Sequence, residues 1–177
     1  PRLDSSAASD VYKRQAPDVD ALELIVGGLL QRRGVTLAVA ESCTGGLIGH
    51  RITNVPGSST YYQGSITAYS YDAKELILHV RHDTLYQYGA VSERTAREMA
   101  QGVRRAFRAD VGLAVTGIAG PGGGMLEKPV GLVYIALATP DGEWVERQVW
   151  TGNRLENKEY SAEAALDLLC RYLEDRL

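Results

Sequence analysis

Leu37-Ala-Val-Ala40 is a short apolar run, and the six residues after it constrain the fold more than any other stretch. Glu41-Ser-Cys-Thr44 ends the run, Gly45-Gly46 comes next, and a segment with apolar residues at helical spacing begins at Leu47. A buried strand, small hydroxyl residues, paired glycines and then a helix is how α/β proteins build a site at a strand's carboxyl end. The glycines let backbone N–H groups approach a ligand, and a helix start favours negative charge there. Taken alone, the stretch is equally an ordinary strand-to-helix turn. The other elements have to decide.

A first helix is predicted from Asp18, its cap, to Arg33, with apolar residues at Val19, Leu22, Ile25, Val26, Leu29 and Leu30 and a stop at Gly34. The first strand is followed by a helix over 45–53, and a second strand is expected over Gln63–Ser70. Asp72 can cap a short helix over Ala73–Leu78, and a loop with His79, His82 and Gly89 comes next. Ser92 opens an amphipathic helix to Phe107, with Ala96, Met99, Ala100, Val103 and Ala106 on one face. The third strand, Val111–Thr116, again ends at a hydroxyl residue followed by glycine. Gly117–Lys128 holds five glycines and one proline, too many for a helix and too long a stretch for a simple turn. Strands over 131–138 and 144–150 are joined by the hairpin signal Thr139-Pro-Asp-Gly142, and a last helix runs to Leu173.

Three strands separated by helices make right-handed parallel crossovers; the hairpin then sets the fourth strand antiparallel and the fifth parallel again. The expected fold is a three-layer α/β/α sandwich around a mixed five-stranded sheet of order 2-1-3-4-5. Following the chain through that scheme puts Ser42–Gly46, Tyr69–Lys74, Thr116–Gly124, Lys128–Gly131 and Thr151–Arg154 on one edge of the sheet. Open α/β sheets bind ligands at that edge.

The 177 residues, 45% of them hydrophobic, suit one domain with a sizeable core. No apolar run reaches the roughly 18 residues needed to span a membrane. Cys43 and Cys170 lie in apolar surroundings and do not make a disulfide framework, as expected of a reducing cytoplasm. Ser5–Gln15 back-translates codon for codon into a transposase-type sequencing adaptor, so residues 1–15 are read as a non-native tail outside the 16–177 domain. The native sequence upstream of residue 16 is then unknown, with room there for a fused N-terminal domain. Without Arg2, Lys13, Arg14, Asp4 and Asp10, the 19 basic and 22 acidic residues fall to 16 and 20, a net of −4. That charge, with no basic stripe apparent, argues against nucleic acid as a partner.

Several chemistries are absent from the edge. Gly117–Lys128 lacks the Gly-Lys-Ser/Thr of a Walker loop, and neither Gly-x-Ser-x-Gly nor Ser-x-x-Lys occurs. His79 and His82 have no third ligand to make a metal site. Lys74 is either a solvated surface amine or, if desolvated, a base able to activate a serine. Arg154 reads as an anion clamp or a surface arginine at an unfavourable helix start. Ser42, Ser59, Tyr69, Ser70 and Thr116 supply hydroxyls.

Ala-Glu-Ser-Cys-Thr-Gly-Gly (40–46), Pro-Gly-Ser-Ser (56–59), Ala-Tyr-Ser-Tyr-Asp-Ala-Lys (68–74), Gly-Ala-Val-Ser-Glu (89–93), Thr-Gly-Ile-Ala-Gly-Pro-Gly-Gly (116–123) and Glu-Lys-Pro-Val-Gly (127–131) together resemble the CinA C-terminal domain family. The resemblance implies the same sandwich fold and amidohydrolase activity on nicotinamide mononucleotide, a small-molecule nucleotide. It implies no metal or organic cofactor, and members that are often homo-oligomers. Carried over by position, it marks Ser42, Ser59, Tyr69, Lys74 and Thr116 as the catalytic set. Thr44, Gly45, Gly46, Gly117, Gly120 and Arg154 are the expected substrate-binding residues. Tyr71-Asp72 departs from the Asn-Glu common in the family, while the lysine spacing is kept. Either Ser42 or Ser59 is the nucleophile, and the oxyanion is held by N–H groups of Gly45–Gly46 or Gly117–Gly120. The alternative function is a catalytically silent nucleotide-binding module that regulates a partner.

Overall fold

The structure is a computed structural model that describes residues 21–177. The adaptor-like tail, the Asp18 cap and the expected first turn of the first helix lie outside the described residues. The elements are α1 (Leu22–Arg33), β1 (Leu37–Glu41), α2 (Leu47–Thr53), a 3-10 turn (Ser58–Thr60), β2 (Tyr62–Thr67), α3 (Tyr71–Leu78), α4 (His82–Tyr88), α5 (Glu93–Phe107), β3 (Val111–Gly117), β4 (Leu132–Ala138), β5 (Glu143–Val149) and α6 (Arg154–Leu173). The sheet order is β2-β1-β3-β4-β5. β1 is parallel to β2 and β3, and β4 is antiparallel to β3 and β5, as expected from the order of elements.

The central strands alternate in side-chain size rather than polarity, because helices cover both faces. Leu37, Val39, Val111, Leu113, Val115, Val133, Ile135 and Leu137 fill one face beneath α1, α2 and α6. Ala38, Ala40, Ala114, Ala136 and Ala138 line the other, under α3 and α5. Small residues let α5 approach the sheet backbone: a Cβ on Gly112 would stand 2.1 Å from the Ala100 carbonyl oxygen. Such contact leaves no room for an extra methyl.

Four local expectations are corrected. β2 stops at Thr67, and Ser70, not Asp72, caps α3 by accepting the Ala73 N–H at 3.0 Å. The stretch expected as loop around His82 forms α4, a short helix with little apolar periodicity that buries only Thr84 and Leu85. α5 does carry a row of arginines, Arg94, Arg97, Arg104 and Arg105, with Arg108 at its end. Glu93 and Glu143 bind Arg97, and Arg104 donates to the Thr139 carbonyl.

Candidate functional site

At the carboxyl edge, Ser42 extends β1 by one residue, its N–H donating to the Val115 carbonyl at 3.0 Å. Strand alternation turns its side chain to the alanine-lined face, where α3 packs. From α3, the Lys74 side chain runs back under the edge and is 1% exposed. Its Nζ lies 3.0 Å from Ser42 Oγ and donates to the Ala68 carbonyl at 2.7 Å. Among the described residues no carboxylate lies within ion-pair distance of Lys74. Burial therefore dominates and lowers its pKa to about 8. Such an amine can be neutral near physiological pH, with a lone pair able to accept the Ser42 proton.

The turn after Ser42 is built differently from the expectation. Glu41 is fully buried, and its carboxylate accepts the N–H groups of Gly46 (3.0 Å), Ile48 (3.1 Å) and Gly49 (2.9 Å). The Gly45 N–H goes to the Ser42 carbonyl at 3.1 Å. Both glycine N–H groups are thus engaged, and the start of α2 already holds an anion, Glu41 itself. The two glycines instead supply the positive φ values (64° and 99°) that fold the turn. The Cys43 and Thr44 N–H groups make no backbone hydrogen bond among the described residues. Burial pushes the Cys43 thiol up to about 12, against the lowering influence of nearby backbone N–H groups and Lys74, so it stays protonated and a poor nucleophile. Thr44 is fully buried with an unpartnered Oγ1.

The other expected residues divide. Thr116, buried beside Ser42 on the same face, donates Oγ1–H to the Ala90 carbonyl at 2.7 Å. Tyr71 Oη accepts the Ala90 N–H at 3.2 Å, so this departure from the family pattern holds the same residue from its other side. Tyr69 is 61% exposed, and its hydroxyl accepts Arg154 Nη2 at 3.0 Å rather than meeting Lys74. Arg154 also donates to the Gly120 carbonyl at 2.6 Å, which ties α6 to the glycine-rich loop. Gly117 packs tightly on β4, where a Cβ would stand 2.6 Å from Val133 Cγ2.

Ser59 lies elsewhere. It sits in the exposed 3-10 turn before β2, at the amino end of the sheet. The extended chain from there to Ala68 covers about 25 Å. Within one chain the structure brings Ser42, not Ser59, to Lys74.

Glu41 was the functional residue that sequence reasoning missed. A carboxylate closing an apolar strand before Gly-Gly was the available signal. Among the described residues, no group of three or more His, Cys, Asp or Glu could hold a metal ion, and no helix is long and apolar enough to cross a membrane.

The site can be set beside known proteins. A family profile described as the CinA C-terminal domain matches residues 19–173. A CinA-like protein of Desulfotalea psychrophila is 52% identical over 156 residues, covering 88% of this chain and 38% of the relative. One from Syntrophomonas wolfei is 50% identical over 158 residues, with 89% and 38% covered. The chain therefore spans under two fifths of the length of these relatives. Among solved structures, the competence/damage inducible protein CihA from Agrobacterium tumefaciens matches with a TM-score of 0.82 at 38% identity, covering 86% of this chain and 95% of that one. A competence-damaged protein (CinA) superfamily protein from Klebsiella pneumoniae matches with 0.84 at 31%, covering 87% and 96%. With its profile match, sheet order and relatives in agreement, the chain belongs to the CinA C-terminal domain family.

Proposed function

We propose that this domain hydrolyses the carboxamide of nicotinamide mononucleotide to nicotinate mononucleotide and ammonia. The observation that carries the reading is the buried Lys74 amine, without a carboxylate partner, 3.0 Å from the hydroxyl of Ser42. The family resemblance supplies the substrate. Neutral Lys74 takes the Ser42 proton as Oγ attacks the carboxamide carbon, and the Ala68 carbonyl holds a remaining amine hydrogen. The resulting oxyanion is met by the backbone N–H of Cys43, the residue after the nucleophile. Lys74 returns the proton to the departing nitrogen, so ammonia leaves and an ester remains on Ser42. Water, deprotonated by the same amine, hydrolyses the ester and restores both groups. A part for Ser59 in this chemistry would require another copy of the chain to deliver it.

Only neutral Lys74 works in this scheme, so kcat/KM for ammonia release is expected to rise about tenfold per pH unit and level off above about 8. A profile flat from pH 6 to 9 contradicts Lys74 as base. Nucleotide binding with no ammonia at any pH supports the silent regulatory module instead.

A further inference from the structure

The contacts at the carboxyl edge close into a ring. Lys74 Nζ joins Ser42 Oγ to the Ala68 carbonyl, and the next residue, Tyr69, is held by Arg154. Arg154 and Lys158 are four residues apart on α6 and so share a face. Lys158 Nζ stands 3.6 Å from where a Cβ on Gly45 would be. The Gly45 N–H returns to the Ser42 carbonyl, at the starting point.

Charge around this ring is one-sided. Among the described residues neither Arg154 nor Lys158 has a carboxylate within ion-pair distance. Glu41 caps α2, and Glu156 accepts the Asn153 N–H at 2.7 Å. Arg154 has donors committed to the Gly120 carbonyl and the Tyr69 hydroxyl, so it braces two walls of the ring. The amides at the start of α2, the obvious anion seat from sequence, are taken by Glu41. Lys158 is the cation on the ring that makes no hydrogen bond to a described residue, and glycine at 45 leaves the space beside its ammonium open.

We propose that Lys158 receives the 5′-phosphate of the substrate and so selects a nucleotide over the nucleoside. Arg154 adds charge and positions the walls. The inference rests on the amidohydrolase reading above and names its phosphate subsite. A phosphate monoester dianion is the group that an ammonium without a carboxylate partner, beside a guanidinium, recognises as a point charge.

The test is calorimetric binding of nicotinamide mononucleotide and nicotinamide riboside to the full chain, with ammonia release measured in parallel. The wild type is expected to prefer the nucleotide. Lys158→Ala should cut that preference about tenfold, and Lys158→Arg should restore most of it. In turnover, the Ala variant should lose through KM rather than kcat. A wild type that binds both ligands equally, or a preference unchanged in Lys158→Ala, overturns the proposal. A preference that depends on Lys158 without ammonia release from either ligand upholds the subsite and overturns only the hydrolytic reading.

Discussion

Lys74→Met is expected to abolish ammonia release, by on the order of 10³-fold, while the protein stays folded. Met matches the lysine stem in length and keeps the apolar contacts, but it cannot take the Ser42 proton. Its effect on stability should stay within about 1 kcal/mol, because two terms oppose each other. The variant sheds the cost of a buried ammonium and leaves the Ala68 carbonyl without its donor. The pH dependence of unfolding gives a second, independent reading. Burial lowers the folded-state pKa of Lys74 to about 8, below the ordinary 10.5. Between those values the unfolded chain still holds the proton that the folded chain has released, so this group's contribution to stability rises with pH there. Denaturant unfolding across that window should show the rise in wild type and not in Lys74→Met. Equal profiles would mean that the amine titrates at its ordinary value, as a solvated lysine does.

The second large effect is expected at Glu41, which touches no substrate in this scheme. Glu41→Leu strips three N–H groups of their acceptor, two of them buried. At about 1–3 kcal/mol for each orphaned buried group, with partial relaxation, the loss should be about 4 kcal/mol. Activity should fall with it, since the same carboxylate fixes the turn that carries Ser42. Glu41→Gln should lose roughly half as much, because one oxygen can still cap α2 while the amide NH2 faces donors. Urea unfolding and ammonia release on the same samples check both. If Glu41→Leu is as stable as wild type, the helix start must have another acceptor.

These two residues also mark how far the sequence could be read. The strand order and the convergence of polar segments on one edge were legible because apolar runs, helices and the Thr139–Gly142 hairpin leave few ways to thread a sheet. Lys74 was legible as a candidate base, but its burial was not: nothing local says that α3 presents it under the sheet edge. Glu41 was misjudged by omission. A carboxylate at the end of an apolar run looks like a strand terminus, and only the folded turn shows that it takes the N–H groups first assigned to a ligand. The partner of Tyr69 was not legible for a related reason: its exposed ring meets Arg154, 85 residues away. Chain order already favours Ser42, at the carboxyl end of β1, and only the family pattern keeps Ser59 in view. Ser59 precedes β2, and the parallel pairing of β2 with β1 puts it at the amino end of the sheet. α4 escaped detection because a two-turn helix with two buried residues carries almost no periodic signal.

In the proposed mechanism Ser42, not Ser59, is the nucleophile that Lys74 activates. Ammonia release from nicotinamide mononucleotide by Ser42→Ala and Ser59→Ala, measured side by side with wild type, tests it most directly. Ser42→Ala is expected to lose about 10³-fold or more in kcat, with Ser59→Ala far less impaired. A Ser42→Ala protein that keeps near wild-type turnover while Ser59→Ala is inactive would contradict the claim.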